Sequence, residues 1–230
     1  LRFTLPMIIG SLLQQCYNIA DTLIVGQCIG SGALAAVGSA YTLMVFLISI
    51  LLGLSMGSGT VFSLQYGAGR MKALRRSIYV SAVLIGTVTI VLNIAALSFI
   101  HPILKLLQIP DDIYQMMYDY LWIIFWGIGF TFIYNFYAAL LRAIGNAVTP
   151  LYFLAISVVL NIGLDLFFIL LLDWGIKGAA IATIIAQGVS ALGIMGYTYA
   201  KCPELRLHRN DLHFCLLYTS PSPRDRSVSR

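Results

Sequence analysis

Two aspartates interrupt long apolar stretches in this 230-residue chain. Asp21 lies near the end of the first stretch, and Asp165 lies in the middle of the fifth. An ionisable side chain at mid-bilayer depth costs roughly 2.5 to 3.5 kcal/mol or more, so such residues usually have a function. No Lys or Arg of the sequence falls at the same depth to neutralise them. We therefore take both as candidate ion-binding groups, and the alternative for each is a buried carboxylic acid in a structural hydrogen bond.

Each aspartate belongs to a set of polar residues at helical spacing. Residues at i, i+4 and i+7 or i+8 share one face of a helix. Four apolar stretches carry such a stripe, formed by Gln14, Asn18 and Asp21; Thr131 and Asn135; Ser157, Asn161 and Asp165; and Thr183, Gln187 and Ser190. Because polar groups avoid lipid, we expect the stripes to face one another around a hydrated cavity.

Such a cavity would present carboxylate, amide and hydroxyl oxygens without a fixed cation, so it should favour cations. Oxygen ligands suit a hard ion such as Na⁺. Burial also disfavours a charged carboxylate, so exchange of H⁺ is equally open. A site at which Na⁺ or H⁺ competes with an organic cation is the physical basis of an antiporter. Two further aromatics, Tyr134 and Tyr137, fit either substrate contact or packing.

The composition indicates that lipid surrounds these segments. Hydrophobic residues make up 60% of the chain, charged residues make up 10%, and the mean hydropathy is +0.89. These values exclude an ordinary soluble domain, a disordered chain and a nucleic-acid-binding protein. The apolar segments long enough to span a bilayer run over residues 5–25, 34–66, 78–100, 114–138, 150–172 and 178–200. They are too long for barrel strands, so the sequence predicts an all-α polytopic membrane protein with six transmembrane helices.

Basic residues concentrate on one side of the predicted bundle. That side carries nine of them, namely Arg2, Arg70, Lys72, Arg75, Arg76, Arg142, Lys201, Arg206 and Arg209. The opposite side carries two, Lys105 and Lys177. Because Lys and Arg are enriched in cytoplasmic loops, both ends of the chain are expected to face the cytoplasm.

Several other features are interpreted as structural. Asn93, alone on the third span, is expected to bond across helices, and small-residue pairs on the second span are expected to pack helices closely. These pairs are Gly53 with Gly57 and Ser55 with Gly59. Aromatic residues at span ends favour an interface belt over a ligand site. The belt would comprise Tyr114, Tyr118, Tyr120, Trp122, Trp126 and Trp174.

We divide the chain into three parts. Residues 1–201 are predicted to form the transmembrane lobe, residues 202–214 a cytoplasmic linker to a further lobe, and residues 215–230 a non-native, adaptor-derived tail. The codons TGT CTC TTA TAC ACA TCT encode residues 215–220 and resemble a transposon end used in sequencing-library adaptors. The chain also starts at Leu1 rather than Met, so we expect it to be cut at both ends.

The first helix carries the most specific family resemblance. The stretch Gln15-Cys-Tyr-Asn-Ile-Ala-Asp21-Thr-Leu-Ile-Val-Gly26, followed by Ala33-Leu-Ala-Ala-Val-Gly38, resembles the multidrug and toxic compound extrusion (MATE) transporters. The turns Gln65-Tyr-Gly-Ala-Gly69 and Leu141-Arg-Ala-Ile-Gly-Asn146 extend the resemblance, which covers about residues 5 to 201.

The resemblance implies one six-helix lobe, the amino-terminal one, of a twelve-helix transporter. Such transporters exchange Na⁺ or H⁺ for cationic drugs across the plasma membrane, in bacteria the inner membrane. The partners expected from it are membrane lipid, cationic small molecules and the missing carboxy-terminal lobe, with no nucleic acid and no cofactor beyond the coupling ion. Carried over residue by residue, its cation site falls on Asp21, Asn135, Asn161, Asp165 and Thr183.

Three other functions would need residues or features different from those described above. A lipid-linked oligosaccharide flippase of the same superfamily would need Arg or Lys in the cavity for its pyrophosphate, and none lies at that depth in the sequence. A membrane-embedded enzyme would need a nucleophile and base or a metal cluster, whereas His101, His208 and His213 lie outside the predicted spans. A channel would not require the stripe-lined lobes and usually has an oligomeric filter ring, and the sequence leaves it as an alternative.

Overall fold

The computed structural model describes residues 4–205, which form helices joined by short turns. The helices are α1 (Thr4–Cys28), α2 (Ser31–Gly67), α3 (Met71–Ser98), α4 (Ile100–Leu106), α5 (Asp111–Trp126), α6 (Ile128–Ala143), α7 (Val148–Leu166) and α8 (Gly175–Lys201). A π-helical turn, Phe167–Leu171, extends α7, and one 3-10 turn, Pro203–Leu205, follows α8. The basic residues Arg2, Arg206 and Arg209, most of the predicted linker and the whole predicted tail lie outside the described residues.

The described helices match the six predicted spans, except that the fourth is divided into α5 and α6. α2, α3, α7 with its π turn, and α8 are each long and apolar enough to cross a membrane, and α5 with α6 forms a fifth such unit. α1 has 25 residues, which is also enough to span a bilayer. Its stripe of glutamines, Asn18 and Asp21 makes it less apolar than α2, α7 and α8. The prediction of an all-α, multi-pass membrane protein is confirmed.

The prediction of one continuous fourth span over residues 114–138 is wrong. The chain breaks at Gly127, and α5 and α6 meet there at an angle of 46°. A Cβ atom at Gly127 would lie 2.9 Å from Ile184 Cγ1 on α8 and 3.1 Å from the Ile124 carbonyl oxygen. Only glycine therefore allows the bend to pack this closely on α8. A sliding hydropathy window cannot detect a bend of this kind, because both halves are apolar.

α8 lies at the centre of the lobe and contacts α5, α6 and α7. Its buried face is rich in small residues, which allow neighbouring backbones to approach closely. These residues are Gly178, Ala179, Ala180, Ala182, Ala186, Gly188 and Ala191. α2 packs against α3, α5 and α6, while α1 packs against α7 and α2. The arrangement brings α1, α5, α7 and α8 to one interior region.

Only one of the two small-residue pairs on α2 packs as expected. A Cβ atom at Gly59 would touch Ala139 of α6 at 3.4 Å, and Ser55 is buried. Gly53 and Gly57 are exposed, and a Cβ atom at either would meet nothing within 4 Å. The packing interpretation is therefore wrong for Gly53 and Gly57 within the described lobe.

The predicted aromatic belt is largely at the surface. Trp122, Trp126 and Trp174 expose between 41% and 62% of their area. Tyr120 is the exception, because its ring is buried inside the lobe. The interface interpretation is wrong for Tyr120, since α5 turns this position towards α1 and α8 rather than towards lipid.

Candidate cation site

Four of the predicted site residues are buried in the interior region between α1, α7 and α8. Asn161 and Asp165 on α7 are 0% exposed, Thr183 on α8 is 7% exposed, and Asp21 on α1 is 8% exposed. We call these four residues the aspartate cluster. The sequence predicts that these residues are ligands of one site, and the fold places them together.

The regularity of α7 explains two of these positions. Asn161 and Asp165 are one helical turn apart, and Ser157 lies one further turn towards the start of the helix. All three are buried, whereas Ile156 and Val159 on the opposite side are exposed. The polar stripe of α7 therefore faces the protein, as its helical spacing predicts.

Most oxygen atoms of the cluster receive no hydrogen bond within the part of the chain that is described. This holds for Asp21 Oδ1, for Asn161 Oδ1 and for both carboxylate oxygens of Asp165. The Asn161 amide is oriented by its other end, because its Nδ2 donates to Thr183 Oγ1 over 3.3 Å. The Asp21 and Asp165 carboxyl groups are neighbours in this region. The cluster thus brings together acceptor oxygens that have no hydrogen-bond partner in the described part of the chain.

Two tyrosines that are not among the predicted site residues also reach this region. The Tyr17 hydroxyl lies beside Thr183 and Gln187, and near both aspartates. Tyr120 of α5 is buried near Tyr17 and the same carboxyl groups. The signal for Tyr17 was present, since it precedes Asp21 by four residues and so shares its face. Tyr120 carried no such signal, because it lies on a separate helix among surface aromatics.

The predicted ligand Asn135 takes part in a different arrangement. Its Nδ2 donates to the Thr131 carbonyl oxygen on its own helix over 2.8 Å. The Thr131 hydroxyl donates in turn to Gln187 Oε1 on α8 over 3.0 Å. We call Thr131, Asn135 and Gln187 the bonded stripe. It lies between α6 and α8, and the Tyr17 hydroxyl stands between Gln187 and the aspartate cluster.

The polar stripe of α1 divides between two directions. Asp21 is buried, but Gln14 is exposed. Asn18 directs its Nδ2 to Gln15 Oε1 at 3.3 Å and to the Tyr41 hydroxyl of α2 at 3.5 Å. Gln14 and Asn18 therefore do not join the aspartate cluster, and their role as lining of a cavity stays a prediction.

The remaining predicted lining residues make contacts within the lobe. The Tyr134 hydroxyl donates to the Pro150 carbonyl oxygen over 3.0 Å, which joins α6 to the start of α7. The Ser190 hydroxyl donates to the Phe153 carbonyl oxygen over 2.8 Å and joins α8 to α7. The bond from Tyr134 favours a packing role for this residue over contact with a substrate.

The described basic side chains lie away from the aspartate cluster. The ion pair recorded for the described residues joins Lys177 Nζ, near the start of α8, to Asp119 Oδ2, in the middle of α5, over 3.2 Å, and Lys177 is largely exposed. No Lys or Arg of the described range accompanies Asp21 or Asp165 in their interior region. Acceptor oxygens in this setting need a proton or a metal cation as counter-charge.

Comparisons with known proteins agree with this architecture. A family model described as MatE matches residues 6–167. The probable multidrug resistance protein YpnP of Bacillus subtilis is 36% identical over 190 residues, which are 83% of this chain and 43% of YpnP. The FAD transporter of Shewanella oneidensis is 27% identical over 209 residues, which are 86% of this chain and 44% of that protein.

The fold has close counterparts among solved structures. A crystal structure of MATE in the bent conformation superposes with a TM-score of 0.87 at 24% identity, over 94% of this chain and 48% of that one. The chain spans about half the length of the curated relatives it matches. The matched family model covers more than half of the chain and includes α1 through α7, so the chain belongs to the MatE family of multi-pass membrane transport proteins.

Proposed function

We propose that this chain is the amino-terminal lobe of a cation-coupled antiporter that exports cationic, amphipathic compounds. The single observation that carries the proposal is the aspartate cluster, in which oxygens of two carboxyl groups and of an amide have no hydrogen-bond partner among the described residues. A buried acceptor without a donor costs about 1 to 3 kcal/mol, and more if it is charged. Binding of Na⁺ or H⁺ would recover this cost.

The cluster suits an ion that must be released again. Asp165 would hold the ion through its carboxylate, Asn161 through Oδ1, and Asp21 would join when α1 lies against α7. Thr183 would orient the Asn161 amide through the bond to its Oγ1. An ion that binds only while α1 is docked favours that state over the undocked one, which is the requirement for coupling.

Export requires a second lobe. Alternating access in transporters of this kind arises when two repeats rock about a site near the bilayer midplane. The relatives are about twice as long as the matched region, which supports a partner lobe of similar size. The chain by itself is therefore expected to bind ions without transporting a substrate.

The charge distribution supports both the cargo and the location. The cluster offers negative charge, and the described range places no Lys or Arg beside it, so a cationic cargo would be attracted. Arg70 lies in the turn between α2 and α3, Lys72 lies in the first turn of α3, and Lys201 ends α8. We infer that these ends face the cytoplasm and that the protein lies in the plasma membrane, in a bacterium the inner membrane.

An anionic flavin is a second candidate cargo. A relative that is 27% identical is named an FAD transporter, which favours it. The pyrophosphate of such a cargo would need Arg or Lys donors from outside the described lobe. The same requirement applies to a lipid-linked oligosaccharide flippase, and no relative named above supports that activity.

The test is efflux of a fluorescent cationic dye from cells that lack their own exporters. The complete two-lobe transporter would carry either Asp165 or Asp165→Asn, at fixed pH with and without Na⁺. We expect the variant to insert normally and to lose ion-dependent efflux. Asp119→Asn is the matched control, because it removes a carboxylate that already has a partner, Lys177. Unchanged coupled efflux in Asp165→Asn would reject the proposed site.

A further inference from the structure

Asn93 makes a contact that reaches outside its own helix. It lies on α3, which contributes no residue to the aspartate cluster. Its Nδ2 donates to the carbonyl oxygen of Phe125 on α5. Thr89, one turn earlier on α3, instead donates to its own helix, at the Ile85 carbonyl oxygen over 2.7 Å. Of these two neighbouring polar side chains, only Asn93 ties α3 to the α5 backbone.

The bonded carbonyl lies at the bend between α5 and α6. Phe125 precedes Gly127 by two residues, and Gly127 is the position at which the 46° break occurs. Backbone groups released by a break inside a membrane segment must find partners among neighbouring helices. Asn93 supplies such a partner, so its amide holds the bend from the α3 side.

On α8, the bend packs against a residue next to the candidate site. Gly127 packs against Ile184, which directly follows Thr183 in α8. The bend is therefore held between Asn93 on one side and the helix that carries Thr183 on the other. A shift of the bend would move α5 relative to α8.

Each arm of the bend places a different group near the ion site. α5 carries Tyr120 to the buried carboxyl groups of Asp21 and Asp165. α6 carries Thr131, whose hydroxyl donates to Gln187 Oε1 over 3.0 Å. The angle at Gly127 thus sets where Tyr120 stands relative to the bonded stripe.

A cavity beside the bend gives it room to move. The cavity measures about 210 Å³ and is lined by Thr89, Ile90, Asn93, Ile94, Trp126 and Gly129. Trp126 covers it with a side chain that is 62% exposed. Without the bond from Asn93, the polypeptide at residues 125–129 can shift into this space.

We propose that Asn93 is a positioning residue for the ion site, acting through the α5–α6 bend on Tyr120 without touching the ion. The proposal rests on the proposed function, since it assigns Asn93 a part in ion binding. Loss of the amide donor should let α5 rotate and withdraw Tyr120 from the carboxyl groups. The apparent ion affinity should then fall, while the maximal efflux rate per inserted molecule changes little.

The experiment uses the complete transporter with Asn93→Leu, which removes the amide at similar size. Asn93→Gln keeps an amide donor. Thr89→Val is the matched control, because it removes a side-chain hydrogen bond beside the same cavity that is made within α3 and not to α5. The first readout is Trp126 emission without ions, in a background with Trp122→Phe and Trp174→Phe. The second is the Na⁺ or H⁺ concentration that gives half-maximal dye efflux.

We expect Asn93→Leu to shift the Trp126 emission and to raise the half-saturating ion concentration about tenfold, the lower end for loss of a supporting contact at an ion site. Thr89→Val should change neither, and Asn93→Gln should recover part of both. Unchanged Trp126 emission in Asn93→Leu would contradict the claim that the Asn93 amide holds the bend between α5 and α6. A shifted emission with unchanged ion affinity would overturn the positioning role. A parent transporter without ion dependence would instead reject the proposed function and this role with it.

Discussion

The aspartate cluster and the bonded stripe are both made of polar side chains at membrane depth, yet they differ in how their hydrogen bonds are satisfied. In the bonded stripe, the Thr131 hydroxyl and the Asn135 amide each have a protein partner at 2.8 to 3.0 Å. In the aspartate cluster, four oxygen atoms have none within the described chain. The same helical spacing therefore produces two kinds of polar site.

The difference shows what to look for in a transporter lobe. Nearly all buried polar groups in proteins have partners, so each exception needs an explanation. A satisfied stripe holds helices together and gains nothing from a ligand. An unsatisfied group of acceptors is destabilising until a cation arrives, and its energy therefore depends on the ion. Coupling should then depend on the cluster, and helix packing on the stripe.

The largest effect should come from Asp21→Asn, which removes the α1 contribution to the cluster. An amide placed against Asp165 can donate to it and occupy the position of the ion. We expect ion-dependent efflux to fall to background, with normal amounts of protein in the membrane. The measurement is dye efflux against ion concentration for Asp21→Asn, Asp165→Asn and the double variant. If the two residues act as one site, the double variant will be no worse than either single one.

A smaller and more selective effect is expected from Asn161→Ala. This change removes the unpartnered Oδ1 and also the donor to Thr183. Because a proton needs one acceptor and Na⁺ needs several, the half-saturating Na⁺ concentration should rise about tenfold, with a smaller change in the dependence on pH. Thr183→Val is the control, since it keeps Asn161 Oδ1. Equal losses for Na⁺ and H⁺ would indicate that the amide has a structural role only.

The bonded stripe should respond in stability rather than in coupling. Thr131→Val removes the donor to Gln187 Oε1 and should lower the free energy of unfolding by about 0.5 to 1.5 kcal/mol. Thermal unfolding in detergent would show this as a lower midpoint, while the half-saturating ion concentration stays unchanged. A changed ion affinity would erase the distinction between the stripe and the cluster.

The smallest effect is expected at the ion pair of Lys177 with Asp119. Lys177 is largely exposed, so the pair resembles a surface salt bridge, which contributes about 0 to 1 kcal/mol and is screened by salt. Lys177→Gln should lower the thermal midpoint slightly at low ionic strength and not at high ionic strength. A loss of coupled efflux at both salt concentrations would extend the functional region from the cluster to this end of the lobe.

Helical periodicity was sufficient to predict the part of the site that lies on regular helices. α7 is an unbroken helix from Val148 to Leu166, so Asn161 and Asp165 had to share a face. It was insufficient for α1, where Asn18 and Asp21 are three residues apart and thus about 60° apart around the axis. Asn18 could turn to Tyr41 while Asp21 stays buried. The choice between these directions depends on neighbouring helices, which local spacing does not encode.

The contribution of α5 could not be predicted from the sequence. Tyr120 lies in sequence between Tyr118 and Trp122, and all three are aromatic residues of the kind found at membrane interfaces. Residue type therefore does not separate Tyr120 from its neighbours. What distinguishes Tyr120 is the direction of α5 relative to α6 at the Gly127 bend. That direction depends on the packing of Gly127 against Ile184 of α8. A contact between residues more than fifty positions apart leaves no periodic trace in either segment.

The position of α1 in the chain sets the order in which the cluster is assembled. Cys28 ends α1 and Val148 begins α7, so about 120 residues are synthesised between the two helices. α7 with its π turn is joined to α8 by three residues, 172–174, and this hairpin brings Asn161, Asp165 and Thr183 together locally. Because local contacts form sooner than distant ones, the hairpin should assemble first. α1 is made before this hairpin and docks on it afterwards, so Asp21 has no partner in the cluster until α7 has been made.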